Sequence, residues 1–231
     1  MDAWLDLARG PLFTIAFLIM TLGLARLVVI QLWLVVRRRH LLRGARWRRI
    51  VTDSLSWALP IRHMVRGAIA LTMASFIFHI GVVVVPLLLP DHVALWERLL
   101  GINLPQIGLE LADWLTVAAI ASGFVLLGYR AFAQRARSLS RAGDYAVLLL
   151  VLMTLGTGYM AAHPSVNPLS WQMMMLTHLL SAEVLFVVVP FSKLSHVVLF
   201  PFERFSQAYW CLQPGAGEEV AHALWGEEVH V

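Results

Sequence analysis

A chain of 231 residues that is 59% hydrophobic and 14% charged lies well outside the range of soluble domains, which are roughly 45–50% apolar and about 25% charged. A soluble globular or disordered chain is excluded, and the composition predicts an all-α, polytopic membrane protein. The net charge of +4 rests on arginines clustered between apolar runs, with Lys193 the one lysine. That pattern is a topology signal and not a nucleic-acid interface.

The first apolar run is Pro11–Val36. Asp2 and Asp6 precede it where a signal peptide would carry basic residues, and the run is too long for one, so a retained helix is expected. A basic connection follows, Arg37 to Arg66, with Trp47, Ile50, Val51, Leu55 and Trp57 interleaved. This suits an interfacial helix, contacting anionic lipid alone or docking a soluble partner as well. The second run, Ala70 to Leu95, contains Pro86 and Pro90. The third is Leu111–Phe132, the fourth Tyr145–His163, and the fifth Trp171–Phe200 with Pro190 inside it. Five spans use almost the whole length, so residues 1–205 are expected to form the membrane domain and 206–231 a polar tail.

The connections alternate in charge. Arginines fill those after the first and third spans, including Arg130, Arg135, Arg137 and Arg141. The connection after the second holds Asp91, Glu97, Arg98, Glu110 and Asp113, and Pro164–Ser170 has no charge. The positive-inside rule then predicts an N-terminus outside and a C-terminus in the cytoplasm.

A single cysteine, Cys211, rules out an intrachain disulfide, a self-contained iron–sulfur cluster and, with no C-x-x-C-H, covalent c-type haem. Histidine remains, and histidine inside a spanning helix is costly and usually functional. His178 and His196 lie 18 residues apart in the fifth run. On a regular helix that is five turns, about 27 Å along the axis with both rings on one face. The geometry suits two haems b stacked across the bilayer, each needing a second imidazole from another helix. His79, deep in the second run, is the expected partner of His196, and Gly81 beside it would let a flat macrocycle approach the backbone. The partner of His178 is His92, if Pro86 and Pro90 reset the angle of the second helix, or else His163 at the end of the fourth. His63 is expected to lie too shallow, and His40, His222 and His230 at the surface. Arg26 and Lys193 are candidates for pairing with haem propionates, or snorkel to the surface. Glu183, about one turn past His178, is the candidate acceptor of quinol protons, or pairs with a neighbouring helix.

The segment Pro190-Phe191-Ser192-Lys193-Leu194-Ser195-His196 resembles the PFTRLVH signature of the respiratory nitrate reductase gamma subunit, a cytochrome b. The His178–His196 spacing and Phe78-His79-Ile80-Gly81 resemble that family's ligand motifs, and the likeness covers nearly the whole chain. One position departs: the family's second ligand in the second helix, ten residues after the first, falls on Leu89 here. His92-Val93-Ala94-Leu95-Trp96 and Thr157-Gly158-Tyr159-Met160-Ala161-Ala162-His163 are more similar to the gamma-like subunits of transmembrane redox complexes of sulfate-reducing bacteria. The resemblance implies electron exchange with menaquinone or ubiquinone near an outer haem. It implies relay to or from iron–sulfur, multihaem cytochrome or other redox subunits, with the terminal catalytic site in another chain. Two other readings fit the composition: a haem-free anchor for a soluble redox subunit, and a small transporter using Arg26 and Glu183. The second lacks the inverted repeat common in transporters.

Overall fold

The computed structural model describes residues 1–37, 48, 51–52 and 69–203. Much of the arginine-rich connection after the first span and the polar tail therefore lie outside the described residues. So do His40, His63, Cys211, His222 and His230. Among the described residues the fold is all-helical, without strand. Five helices are long and apolar enough to cross a membrane, at Asp2–Arg37, Ile69–Leu88, Leu109–Phe132, Ala142–Ala162 and Trp171–Phe191. The chain is thus a multi-pass membrane protein by length and composition of its helices.

The first span is one helix in two parts, α1 (Asp2–Leu7) and α2 (Phe13–Arg37), joined by a π-helical turn over Ala8–Leu12. That turn holds Pro11, whose missing N–H is accommodated where the hydrogen-bond register widens. The second run divides into α3 (Ile69–Leu88) and α4 (Pro90–Leu100). Pro90 disfavours helical backbone at the residue before it, and Leu89 is extended, with φ −64° and ψ 134°. Pro90 also has no N–H for the Pro86 carbonyl one turn back; the Trp96 indole donates to that carbonyl instead, at 3.0 Å. Pro86 sits inside α3 without ending it.

The remaining elements are α5 (Leu109–Phe132), α6 (Gln134–Leu139), α7 (Ala142–Ala162) and α8 (Trp171–Val188). The arginine-bearing turn between α5 and α7 is pinned at both ends. Arg130 donates to the Asp144 carbonyl at 3.0 Å, and the Tyr145 hydroxyl donates to the Arg130 carbonyl at 2.9 Å. Beyond α8 the regular helix assumed for the fifth span gives way at Pro190. Two 3-10 turns, Val189–Phe191 and Lys193–Ser195, follow, with Ser192 accepting the Leu194 N–H between them. Helix resumes over 196–203. A straight five-turn register between His178 and His196 therefore does not apply, because the proline removes a helical donor and the serine caps a new start.

Contacts divide the chain into two compact units, Met1–Met20 with His63–Val188, and Thr21–Arg62 with Val189–Val231. In the first, α3 packs on α5, α5 on α7, α7 on α8, and α8 on α1. Its core is Phe78, Ala119, Leu148, Val151, Leu152 and Leu155. Small residues set the helix spacing: a Cβ on Gly81 would stand 2.5 Å from Ala119 Cβ and 2.8 Å from the Leu115 carbonyl oxygen. Gly81 thus faces α5, so its missing side chain serves helix packing and not the approach of a macrocycle. In the second unit α2 meets the turn after α8 just as closely, since a Cβ on Gly23 would fall 2.6 Å from Pro190 Cβ. Outward faces are apolar. Of α2, only Phe13 and Ala16 are buried, whereas Leu18, Leu22, Val29 and Trp33 are at least half exposed. Such a surface suits lipid.

Candidate functional site

The break at Leu89 brings His92, in the first turn of α4, to the side of the bundle on which α8 carries His178. The two imidazoles lie with centroids 6.3 Å apart and planes within 11° of parallel. Two imidazole nitrogens bound to one metal ion at about 2.0–2.1 Å each hold their ring centres roughly 6 Å apart, so this pair has the separation of two axial ligands.

The second nitrogen of His178 is fixed. A carbonyl only accepts, so the 3.0 Å contact of His178 Nδ1 with the Thr154 carbonyl has the ring donating. In the neutral ring this leaves the Nε2 lone pair free to ligate, which is the usual outer-sphere arrangement of a ligating histidine. Gly158, one turn after Thr154, leaves room for the ring: a Cβ there would stand 2.8 Å from His178 Cε1. His92 Nδ1 is buried and has no partner in hydrogen-bonding geometry. Burial holds the His92 imidazole below its ordinary pKa, against the opposing pull of the Val85 carbonyl, the Asp91 carboxylate and the Pro86 carbonyl. The ring is thereby kept in the neutral form that metal binding requires. The residues present fit a two-imidazole axial site.

His163 is differently engaged. It caps the end of α7, its Nδ1 contacting the Tyr159 carbonyl at 2.9 Å and its Nε2 meeting Asp113 Oδ2 at 3.2 Å. Its ring also stacks on Tyr159, centroids 4.1 Å apart. Both nitrogens are committed, so the structure brings His92 and not His163 to His178.

His79 is exposed on α3 and its Nδ1 donates to the Ser75 carbonyl at 2.7 Å. It stands off the face that packs on α5, which is marked by Ala74, Phe78, Gly81 and Val85. His196 is likewise exposed, its Nδ1 donating to the Lys193 carbonyl at 2.7 Å. In each neutral ring the proton therefore sits on Nδ1, the same tautomer as in His178. His79 belongs to the first unit and His196 to the second, together with Arg26 and Lys193. Those two cations are carried by the segments that meet at Gly23 and Pro190, and both are exposed.

Glu183 is the outlying group. It lies on α8 at 4% exposure, and neither carboxylate oxygen has a hydrogen-bond partner. An unpaired charge in such a place costs several kcal/mol, and an ionisable residue inside a membrane helix is a functional candidate by default. No cluster of three or more His, Cys, Asp or Glu able to hold a metal occurs among the described residues. Thr154, Gly158 and Asp113 had no individual signal in the sequence, since their roles depend on neighbours 20 or more residues away.

The chain matches no family profile, and no solved structure matches it. It is 35% identical over 156 residues, 67% of either chain, to a protein of Nitratidesulfovibrio vulgaris (strain Hildenborough) whose name carries no functional term. The chain belongs to the same family as that protein. That likeness leaves the activity to be argued from the site.

Proposed function

We propose that this chain is the membrane-embedded b-type cytochrome subunit of a quinol-linked redox complex. It would carry electrons between a menaquinone or ubiquinone pool and iron–sulfur, multihaem cytochrome or other redox subunits. The observation that carries this reading is the His92–His178 pair: near-parallel imidazoles 6.3 Å apart, one tied through Nδ1 to a backbone carbonyl. The resemblance to nitrate reductase gamma-like subunits supports it, and the departure at Leu89 is met by His92, supplied from α4 after the proline break.

A haem b held by His92 with His178 would supply a reversible one-electron carrier; the resemblance implies a second haem b, for which His79 and His196 are the candidate ligands. Thr154 fixes the tautomer of His178, and Gly158 gives its ring clearance. Arg26 and Lys193 offer charge to propionates. Glu183, buried and unpaired, is suited to take a proton released when quinol is oxidised. By the positive-inside rule the His92–His178 end faces outward, with the C-terminus in the cytoplasm of a bacterial inner membrane.

The test is haem content per chain in the purified full-length protein, by pyridine haemochrome, with spectra of single variants. His92→Ala and His178→Ala should each remove one of two haems b, and His163→Ala should keep both. Folded, full-length protein without pigment would replace this reading with that of a haem-free anchor. Retention of both haems by His92→Ala would sink the ligand assignment.

A further inference from the structure

Away from the paired histidines, α1, the π turn, the start of α2 and α4 line an open cleft of about 490 Å³. Phe13, Leu95 and Leu99 give it apolar walls, while Arg9, Arg98 and Asp6 bring charge to it. Neither arginine forms an ion pair among the described residues. Arg9 is held in place, its guanidinium 5.5 Å from the centroid of the Trp171 ring, a cation–π contact that positions the charge without neutralising it. Two guanidiniums and the one carboxylate of Asp6 leave the cleft with a net positive charge, which favours an anionic group there. The planar guanidinium forks suit a phosphate.

Apolar walls beside the charges suit an amphipathic molecule better than a bare anion. Pockets of this size and lining take molecules that bury apolar surface and fix a few polar groups, and basic pockets between membrane helices bind lipid head groups. Asp6 narrows the choice. A carboxylate beside two arginines disfavours a ligand bearing negative charge alone, and it suits one that also carries an ammonium. We propose that this cavity is a specific site for phosphatidylethanolamine, with the phosphate on Arg9 and Arg98, the ammonium on Asp6, and an acyl chain along Phe13, Leu95 and Leu99. The site is independent of the haem reading, since none of its residues is a proposed ligand.

Native mass spectrometry of the full-length protein in detergent tests this, with phosphatidylethanolamine or phosphatidylglycerol added at equal concentration. The unaltered protein should retain phosphatidylethanolamine in preference. Arg9→Gln with Arg98→Gln should weaken that binding about tenfold, and Asp6→Asn should abolish the preference between the two lipids. If the double variant does not fold, Arg98→Gln alone, at an exposed position in the last turn of α4, carries the test and should weaken binding severalfold. Equal retention of phosphatidylglycerol by the unaltered protein overturns the proposal. So does displacement by inorganic phosphate, which would make this a plain anion site, or a quinone found in place of the lipid. Unchanged lipid binding in the arginine variants overturns it as well.

Discussion

His178 shows how much of a site is decided by atoms outside the residue that carries it. Its chemistry depends on Thr154, which takes the Nδ1 proton, and on Gly158, which has no side chain to occupy the space of the ring. Gly158→Ala places a methyl group 2.8 Å from Cε1 and 3.0 Å from Nδ1, so the ring must turn or α7 must shift. Overpacking of this kind costs about 1–3 kcal/mol. The expected outcome is a folded protein that loses the spectrum of one haem, read by pyridine haemochrome against the unaltered chain. Glu183 invites a different substitution. Glu183→Gln keeps the shape and removes the group able to take up and release a proton. Haem content should stay unchanged while quinol-driven reduction slows about 10²–10⁴-fold, the usual loss for a positioned proton acceptor. Stopped-flow reduction with a quinol analogue checks it, and an unchanged rate would show that Glu183 has only a structural part.

At the level of the helix, prolines decide where the first, second and fifth runs depart from a regular α-helix. Pro90 starts α4 and strands the Pro86 carbonyl, and Trp96 returns from the next turn to satisfy it. The same indole ring lies 5.9 Å from Phe17, so one side chain closes the α3–α4 corner and seats it against α2. Trp96→Phe keeps much of the aromatic packing and leaves the carbonyl without its donor. An unsatisfied buried acceptor costs about 1–3 kcal/mol, so the variant should unfold at lower temperature in detergent. Because the corner sets the direction of His92, the haem proposed to be held by His92 and His178 should also be lost first on heating. An unchanged melting temperature would mean that water reaches the carbonyl. The break at Pro190 acts in the other direction: it ends α8 before His196, which lies on a short helix of its own over 196–203.

Across the whole molecule, helices approach where glycine permits it. Gly81 meets backbone as well as Ala119 Cβ on α5, whereas a Cβ on Gly123 would meet the flexible end of Leu152 at 2.5 Å and the edge of the Phe78 ring at 3.0 Å. Leu152 can turn aside; the Leu115 carbonyl cannot. Gly81→Ala should therefore destabilise the α3–α5 contact by about 1–3 kcal/mol, and Gly123→Ala by less, in thermal unfolding of the purified protein. The reverse order would show that α3 and α5 slide more freely than their packing implies. Large apolar residues remain on the outer surface of every long helix, where bilayer hydrocarbon replaces a protein core as their environment.

Length and apolar fraction, with the runs between charged connections, were enough to determine an all-helical, five-span membrane chain. These are properties of local stretches: about 20 apolar residues in a row can satisfy their own backbone only as a helix. Prolines in the second and fifth runs were equally visible, and the break between His79 and His92 followed from them. Only the tertiary structure decided which histidines meet. His92 and His163 both end near the same side in the linear reading, and nothing local separates them. The fold turns one toward His178 and commits both nitrogens of the other to Tyr159 and Asp113. The cluster of Asp6, Arg9 and Arg98 was unreadable for the same reason. Its members lie on elements some 90 residues apart, and proximity between such elements is set by packing, which no sequence window contains.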